Sequence, residues 1–323
     1  MRRGRIAPRP KTRGHAPERR RSARGLGAHP ERRVLAPGRR ALLGRRPSGA
    51  RRAAVVLPPI VNLFERPDAA SPVVSQATLG AGVAVLDAAR GYDLVETADR
   101  YRGWIRSAAL RSILPRSAPY PRPDRAWRVV NFMCQIYRDR DVTSASPIAT
   151  APLLAVVEVV EDRPEWKRVR LPDGRRGWVQ GGDVEPVTRR LPPDLLDGAA
   201  VAATALRFLG LPYLWGGTTP FGIDCSGLTQ LVYRMHGHLL PRDADLQHSH
   251  TGLHAVDRAD LRSGDLVFFG PDGTSITHVG IALDRDRFVS ATTYRAPTVR
   301  VDRLDDPYWA RLYRAARRLG SRA

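Results

Sequence analysis

The sequence predicts two small all-β domains followed by one α+β domain, with a basic arm in front. Three observations carry this prediction. A strand-and-turn pattern over residues 54–114 returns over 126–188. The last part of the chain places its helical runs before its strands, the order of an α+β rather than an alternating α/β layout. Charge is concentrated at one end: of a formal net charge of +21 over 323 residues, residues 1–53 carry 18 Lys or Arg against Glu18 and Glu31.

The arm, residues 1–53, is dominated by Arg, Pro, Gly and Ala without periodicity, so it reads as disordered. Its charge suits contact with polyanions, but the folded remainder is only mildly basic, so no obligatory nucleic-acid partner is implied. No stretch has the uninterrupted apolar run of a spanning helix. Ala53-Ala54-Val55-Val56-Leu57 is too short for a secretory apolar region and runs into Pro58-Pro59. A cytoplasmic location is therefore expected, or the cell envelope or secretion if translation starts elsewhere. The two cysteines lie far apart and no Cys-x-x-Cys occurs, which excludes a disulfide framework and the usual zinc or thiol redox motifs.

In residues 54–114, Val73-Val74, Gly82–Leu86, Tyr92–Glu96 and Gly103-Trp104-Ile105 are short strand-like runs separated by Gly, Asp and Pro. Residues 115–125 are Pro-rich, hence a stiff extended linker. The pattern then repeats over 126–188: Asp99–Ile105, ending Gly-Trp-Ile, returns as Asp173–Val179, ending Gly-Trp-Val, and Asn62-Leu63-Phe64 resembles Gln135-Ile136-Tyr137. Two copies indicate a duplication, not a solenoid. Cys134, among apolar residues on the expected strand Val129–Cys134, reads as packing.

The final domain, 194–318, opens with an Ala/Leu-rich helical run from Leu196 to Phe208, stopped by Gly210 and Pro212. A second helix begins at Asp224-Cys225-Ser226-Gly227-Leu228. Three strands follow: Gly264–Phe269, His278–Leu283 and Arg287–Ala291. A thiol in a helix's first turn sits where unpaired N–H groups and the macrodipole favour an anion, which raises its thiolate fraction. A cysteine nucleophile also needs a nearby base and a group orienting that base. His278, at the start of an apolar strand, is the best-placed of the eight histidines. His248, His250 and His254 share a loop without a carboxylate or thiol at matching spacing, so no metal site is expected. Asp224 also reads as an N-cap, stabilising with no ligand present.

Residues 194–318 resemble the NlpC-type family of papain-like cell-wall cysteine peptidases. The resemblance rests on Phe208–Gly217, Phe221–Leu228, Leu240–Ala244 with Gln247, Ser263–Phe269 and Thr277–Ile281, in family order and spacing. It implies a papain-like α+β domain with Cys225 as nucleophile, His278 as base and Tyr213 helping to bind the oxyanion. It puts Ser290 where relatives carry a third polar residue, usually histidine, with Thr292 as a nearby substitute. The two β regions resemble bacterial SH3-like barrels.

That domain combination resembles γ-D-glutamyl-L-diamino acid endopeptidases, which cut murein stem peptides. The resemblance implies that Asp224 and Ser226 line a pocket for a free L-Ala amine, with Glu65 and Tyr101 contributed by the first SH3-like domain. Ala244 stands where relatives often carry serine. The expected reaction is hydrolysis of the γ-D-Glu–diamino acid bond through an acyl-enzyme, by a monomer needing no cofactor. The alternatives are an N-acetylmuramoyl-L-alanine amidase and a weakly active wall-peptide-binding protein.

Overall fold

The structure, a computed structural model, describes residues 51–114, 117–187 and 196–320. Nearly all of the basic arm, the first two residues of the Pro-rich linker and the Pro192-Pro193 connector lie outside the described residues. Among the described residues no helix is long and apolar enough to cross a membrane.

The first β unit is one antiparallel sheet of β1 (Arg52–Val56), β2 (Ile60–Phe64), β3 (Val73–Thr78), β4 (Gly82–Ala89), β5 (Tyr92–Glu96), β6 (Arg102–Arg106) and β7 (Leu110–Ile113), in the order β3-β2-β6-β5-β4-β1-β7. Arg52 and Ala53, assigned above to the arm, belong to this sheet: β1 pairs with β4 on one side and β7 on the other. Their composition continued the basic run, whereas backbone pairing on both edges decides their conformation. The core gathers Val56, Leu63, Val74, Val95 and Ile105.

The second β unit holds β8 (Ala126–Val129), β9 (Met133–Ile136), β10 (Ala149–Pro152), β11 (Val156–Asp162), β12 (Trp166–Arg170), β13 (Arg176–Gln180) and β14 (Val184–Pro186). β13-β12-β11-β8-β14 form one sheet, β9 and β10 a hairpin, and the Tyr137–Trp178 bridge joins them. The repeat extends to backbone detail. A positive φ at Arg100 (66°) recurs at Gly174 (92°), and a 3-10 turn at Ser107–Ala109 recurs at Gly181–Asp183. Gly103 packs on Leu63 as Gly177 packs on Ile136, each too closely for a Cβ.

In the third unit, helices α1 (Gly198–Leu206) and α2 (Cys225–Met235) pack against a six-stranded antiparallel sheet. Its strands follow the small hairpin β15 (Thr218–Thr219) and β16 (Gly222–Ile223). They are β17 (Leu253–Val256), β18 (Leu266–Phe269), β19 (His278–Ala282), β20 (Arg287–Thr292), β21 (Thr298–Arg303) and β22 (Tyr313–Leu319), in the order β17-β22-β18-β19-β20-β21. Short helices α3 (Ala244–His248) and α4 (Pro307–Leu312) complete it. Strand alternation divides the core in two. Leu266, Phe268, Val279, Ile281, Val289 and Ala291 join the helix-side cluster, while Val267, Phe269, Ala282 and Phe288 pack with Trp309. Helices ahead of an antiparallel sheet are the α+β layout expected from the sequence.

The three units meet. The second docks on the third through Leu153, Leu154 and Phe132, whose ring lies 5.0 Å from that of Phe208. The first reaches the third where Thr218 N–H donates to Gln76 Oε1 at 3.1 Å. Leu79 of the first joins the core of the second.

Candidate active site

Helix α2 begins at Cys225 because Asp224 caps it. Asp224 has extended backbone, and its Oδ1 accepts from the Gly227 N–H at 2.7 Å. Gly227 is required by a close approach: a Cβ there would stand 2.2 Å from the Gly217 carbonyl oxygen. Gly216, with φ of +77°, makes the turn that brings that carbonyl onto the helix start. Gly227→Ala is therefore expected to push the 216–217 turn off the helix and cost about 1–3 kcal/mol, read by a urea melt of the whole chain.

Cys225 is the first residue of α2 and is 8% exposed. The helix lies against β19 and β20, and His278 is the first residue of β19. His278 is buried, with Nε2 3.0 Å from Ser290 Oγ on β20. Two rings restrict the imidazole further: Trp309, at a centroid distance of 4.9 Å and 30° between planes, and Phe269 at 5.7 Å. Ser290 is thus the residue that meets Nε2. The Thr292 hydroxyl instead accepts from Tyr294 N–H at 3.0 Å.

Tyr213 makes a parallel bridge to Ile223, two residues before Cys225, and its N–H donates to the Pro297 carbonyl. That bridge carries the Tyr213 backbone alongside the approach to the helix start.

Asp224 is more engaged than its capping role requires. Its Oδ2 accepts from Gly216 N–H at 2.9 Å and from Arg242 at 2.6 Å; Oδ1 accepts from a second Arg242 nitrogen at 3.0 Å. Arg242 also donates to Ser226 Oγ at 2.9 Å and to Ser75 Oγ at 3.2 Å. Arg242 is 1% exposed. Burial alone would lower its pKa, but the Asp224 carboxylate, its hydrogen bonds and Asp243 more than reverse this, so the guanidinium stays charged. Asp224 and Ser226 are therefore joined in a network that already neutralises the Asp224 charge.

Arg242 was missed by the reading of site residues, although it lies in the Leu240–Ala244 block. The available signal was a lone cation directly after an apolar run, beside an aspartate. Its neighbour Asp243, buried at the N-terminus of α3, does not cap that helix; its Oδ2 accepts from Tyr101 O–H at 2.9 Å. Tyr101 thereby ties the first β unit to the loop behind Cys225. Gln247 supports the same loop, donating to the Ser226 and Pro241 carbonyls and accepting from Thr229 O–H. Ala244 is buried in the helix-side core.

Glu65 follows β2 in a loop whose Pro72 carbonyl accepts its N–H. The next residue, Val73, abuts Gly216. Glu65 is 8% exposed, and its carboxylate forms no hydrogen bond or ion pair among the described residues.

The remaining candidates have structural surroundings. Cys134 is buried on β9, where desolvation pushes its thiol well up and keeps it protonated. His248 packs edge-on against Phe268, His250 accepts from Gly252 N–H, and His254 lies on β17. Among the described residues no three His, Cys, Asp or Glu side chains gather so as to hold a metal ion. His236 caps the far end of α2 and meets Thr204 Oγ1 at 2.9 Å.

Residues 210–318 match the NlpC/P60 family, and residues 63–110 match the bacterial dipeptidyl-peptidase Sh3 domain. The chain thus carries an NlpC/P60 domain, of papain-like fold, preceded by a bacterial SH3 domain.

Among its relatives, a γ-D-glutamyl-L-lysine dipeptidyl-peptidase of Bacillus cereus is 37% identical over 155 residues, 47% of this chain and 45% of that protein. A probable endopeptidase NlpC homolog of Haemophilus influenzae is 36% identical over 39% of this chain and 64% of that one. The aligned part therefore spans less than two thirds of each relative. A crystal structure of an NlpC/P60 family protein from Bacillus cereus covers 83% of this chain and 99% of its own at a TM-score of 0.72; at 23% identity this likeness is one of fold.

Proposed function

We propose that this protein is a cysteine peptidase of murein stem peptides, cutting after the γ-linked D-Glu. The observation that carries the reading is the His278–Ser290 pair on the strands beneath a capped, thiol-bearing helix start. In this reaction the Cys225 thiolate, favoured by the helix N-terminus, attacks the γ-carbonyl carbon. His278 takes the thiol proton on Nδ1, which requires Nε2–H to donate to Ser290 Oγ. The tetrahedral oxyanion is held by the Cys225 N–H and the Tyr213 side chain. Collapse expels the diamino acid amine, which receives the proton from His278, and water then hydrolyses the thioester with His278 as base.

Ser290 holds the imidazole through one short hydroxyl, with Trp309 and Phe269 sharing the work. Ser290→Ala is expected to lower kcat about ten- to hundredfold, less than the ~10^4 lost when a carboxylate orienter is disabled. Steady-state kcat across pH tests this, and an unchanged profile would remove Ser290 from the mechanism.

The substrate's free amine is assigned to Glu65. Asp224 already faces Arg242, whereas Glu65, on a largely buried side chain, has no cation paired with it among the described residues. Tyr101 and Ser226 shape the same pocket through Asp243 and Arg242. Glu65→Gln is expected to raise KM about tenfold or more for a stem peptide with a free N-terminal L-Ala, while its unfolding midpoint stays level or rises. Equal KM values would return the amine to Asp224.

The second β unit is read as a second SH3-like barrel, supported by its repeated turn, 3-10 segment and glycine packing. The decisive experiment is digestion of a defined muropeptide with and without a free N-terminal L-Ala, followed by mass analysis. Cleavage after γ-D-Glu supports the proposal; release of the intact stem peptide from the lactyl group would instead make the protein an amidase.

A further inference from the structure

The three units line an open pocket of about 410 Å³ whose lining includes neither Cys225 nor His278. Its lining, among the described residues, comes from all of them: Thr78 and Asp99 from the first, Val156 and Val187 from the second, and Leu231 and Arg234 from α2 of the third. Its volume falls within the roughly 300–1,000 Å³ of small-molecule sites.

Arg234 stands out in this lining. It lies in the last turn of α2, where the helix macrodipole favours a cation. That accounts for the sign of its charge but not for its surroundings. Its guanidinium has no hydrogen-bond or ion-pair partner among the described residues. Residue 234 is open to water, yet the protein around it desolvates the guanidinium and lowers its pKa, with Asp99 opposing and Arg128 reinforcing that shift.

The other charged groups facing it are already engaged. Asp99 accepts from Gln230, Thr97 and the Tyr101 N–H. Arg128, also near, is paired with Glu185. Among the described residues, the N–H donors of Arg234 therefore meet no protein acceptor. The rest of the wall is mixed but mostly apolar: Ala77, Leu153, Val156, Leu231 and Leu239 stand beside Ser75, Gln76, Thr78, Thr97, Thr218, Gln230 and the engaged Asp99.

We propose that this chamber binds a small carboxylate with an apolar body, of about dipeptide size, its acid group held by the Arg234 fork. Planar bidentate pairing is what a guanidinium offers a carboxylate, and the aliphatic wall takes the body. The site is independent of the hydrolytic reading, since it uses none of the proposed reacting groups. Occupancy also bears on the fold: Ser75, which also lines the chamber, accepts from Arg242. A ligand there bridges all three units and raises the unfolding temperature.

The probe is N-acetyl-L-leucine, which has one carboxylate, an apolar side chain and no free amine for the Glu65 pocket. N-acetyl-L-leucinamide is its neutral counterpart. Titration of the full chain by calorimetry is expected to show saturable binding of the acid, at least about tenfold weaker binding of the amide, and a similar loss in Arg234→Gln. Methyl NMR of the wild type locates the ligand: Leu231 and Leu239 shift, while Val279 and Val289 beside the candidate active site do not. If Arg234→Gln fails to fold, the acid–amide comparison and the methyl map still decide. Equal binding of acid and amide, unaltered binding by Arg234→Gln, shifts confined to Val279 and Val289, or no saturable binding overturns the proposal.

Discussion

Cys225→Ala is expected to abolish muropeptide hydrolysis, with a loss of at least about 10^4 in kcat, while the chain keeps its unfolding midpoint. The size follows from what is removed. A nucleophile cannot be replaced by its neighbours, and the residual rate comes only from binding and the oxyanion site. The stability expectation follows from position. Asp224 caps the helix through Gly227, not through residue 225, and Cys→Ala removes only a single sulfur atom from the buried first turn. His278→Ala is expected to lose a similar factor, because in the proposed mechanism the two side chains act as a unit. Labelling by iodoacetamide gives an independent readout: Cys225 should react faster than a free thiol at neutral pH, and His278→Ala should slow it. Unchanged turnover in Cys225→Ala would remove this cysteine from the chemistry altogether.

Arg242→Met is expected to have the largest effect on stability, a loss of about 3–5 kcal/mol. Removing one partner leaves the Asp224 carboxylate buried and uncompensated, which costs more than the pair itself contributes. The arginine also donates to Ser226 and Ser75, so its loss loosens the helix start and the contact with the first β unit together. The double variant Asp224→Asn with Arg242→Met should recover a large part of the loss, because Asn keeps the cap to Gly227 while no buried charge remains. Chemical melts of both variants and the wild type make this comparison. A single variant as stable as the wild type would mean that the network is incidental.

Much of the architecture was legible in the sequence because it rests on local patterns. Gly-Trp-hydrophobic strand ends, repeated at constant spacing, announced two related β units, and the backbone repeats them down to a positive φ at Arg100 and Gly174. Asp224 at the start of an apolar helical run is the N-cap that its chemistry suggests. His278 at the head of an apolar strand starts β19 as expected.

The sequence alone determined that Cys225 stands at a helix start and His278 at a strand head, because helix starts, strand heads and turns are set by near neighbours in the chain. Only the tertiary structure decided how charges are matched. Arg242 meets Asp224 from 18 residues away, Tyr101 meets Asp243 across 142, and Arg242 reaches Ser75 across 167. No local pattern encodes those pairings. A charge takes whichever partner the packed units bring to it: in this fold Asp224 receives an arginine, while among the described residues Glu65 and Arg234 receive none.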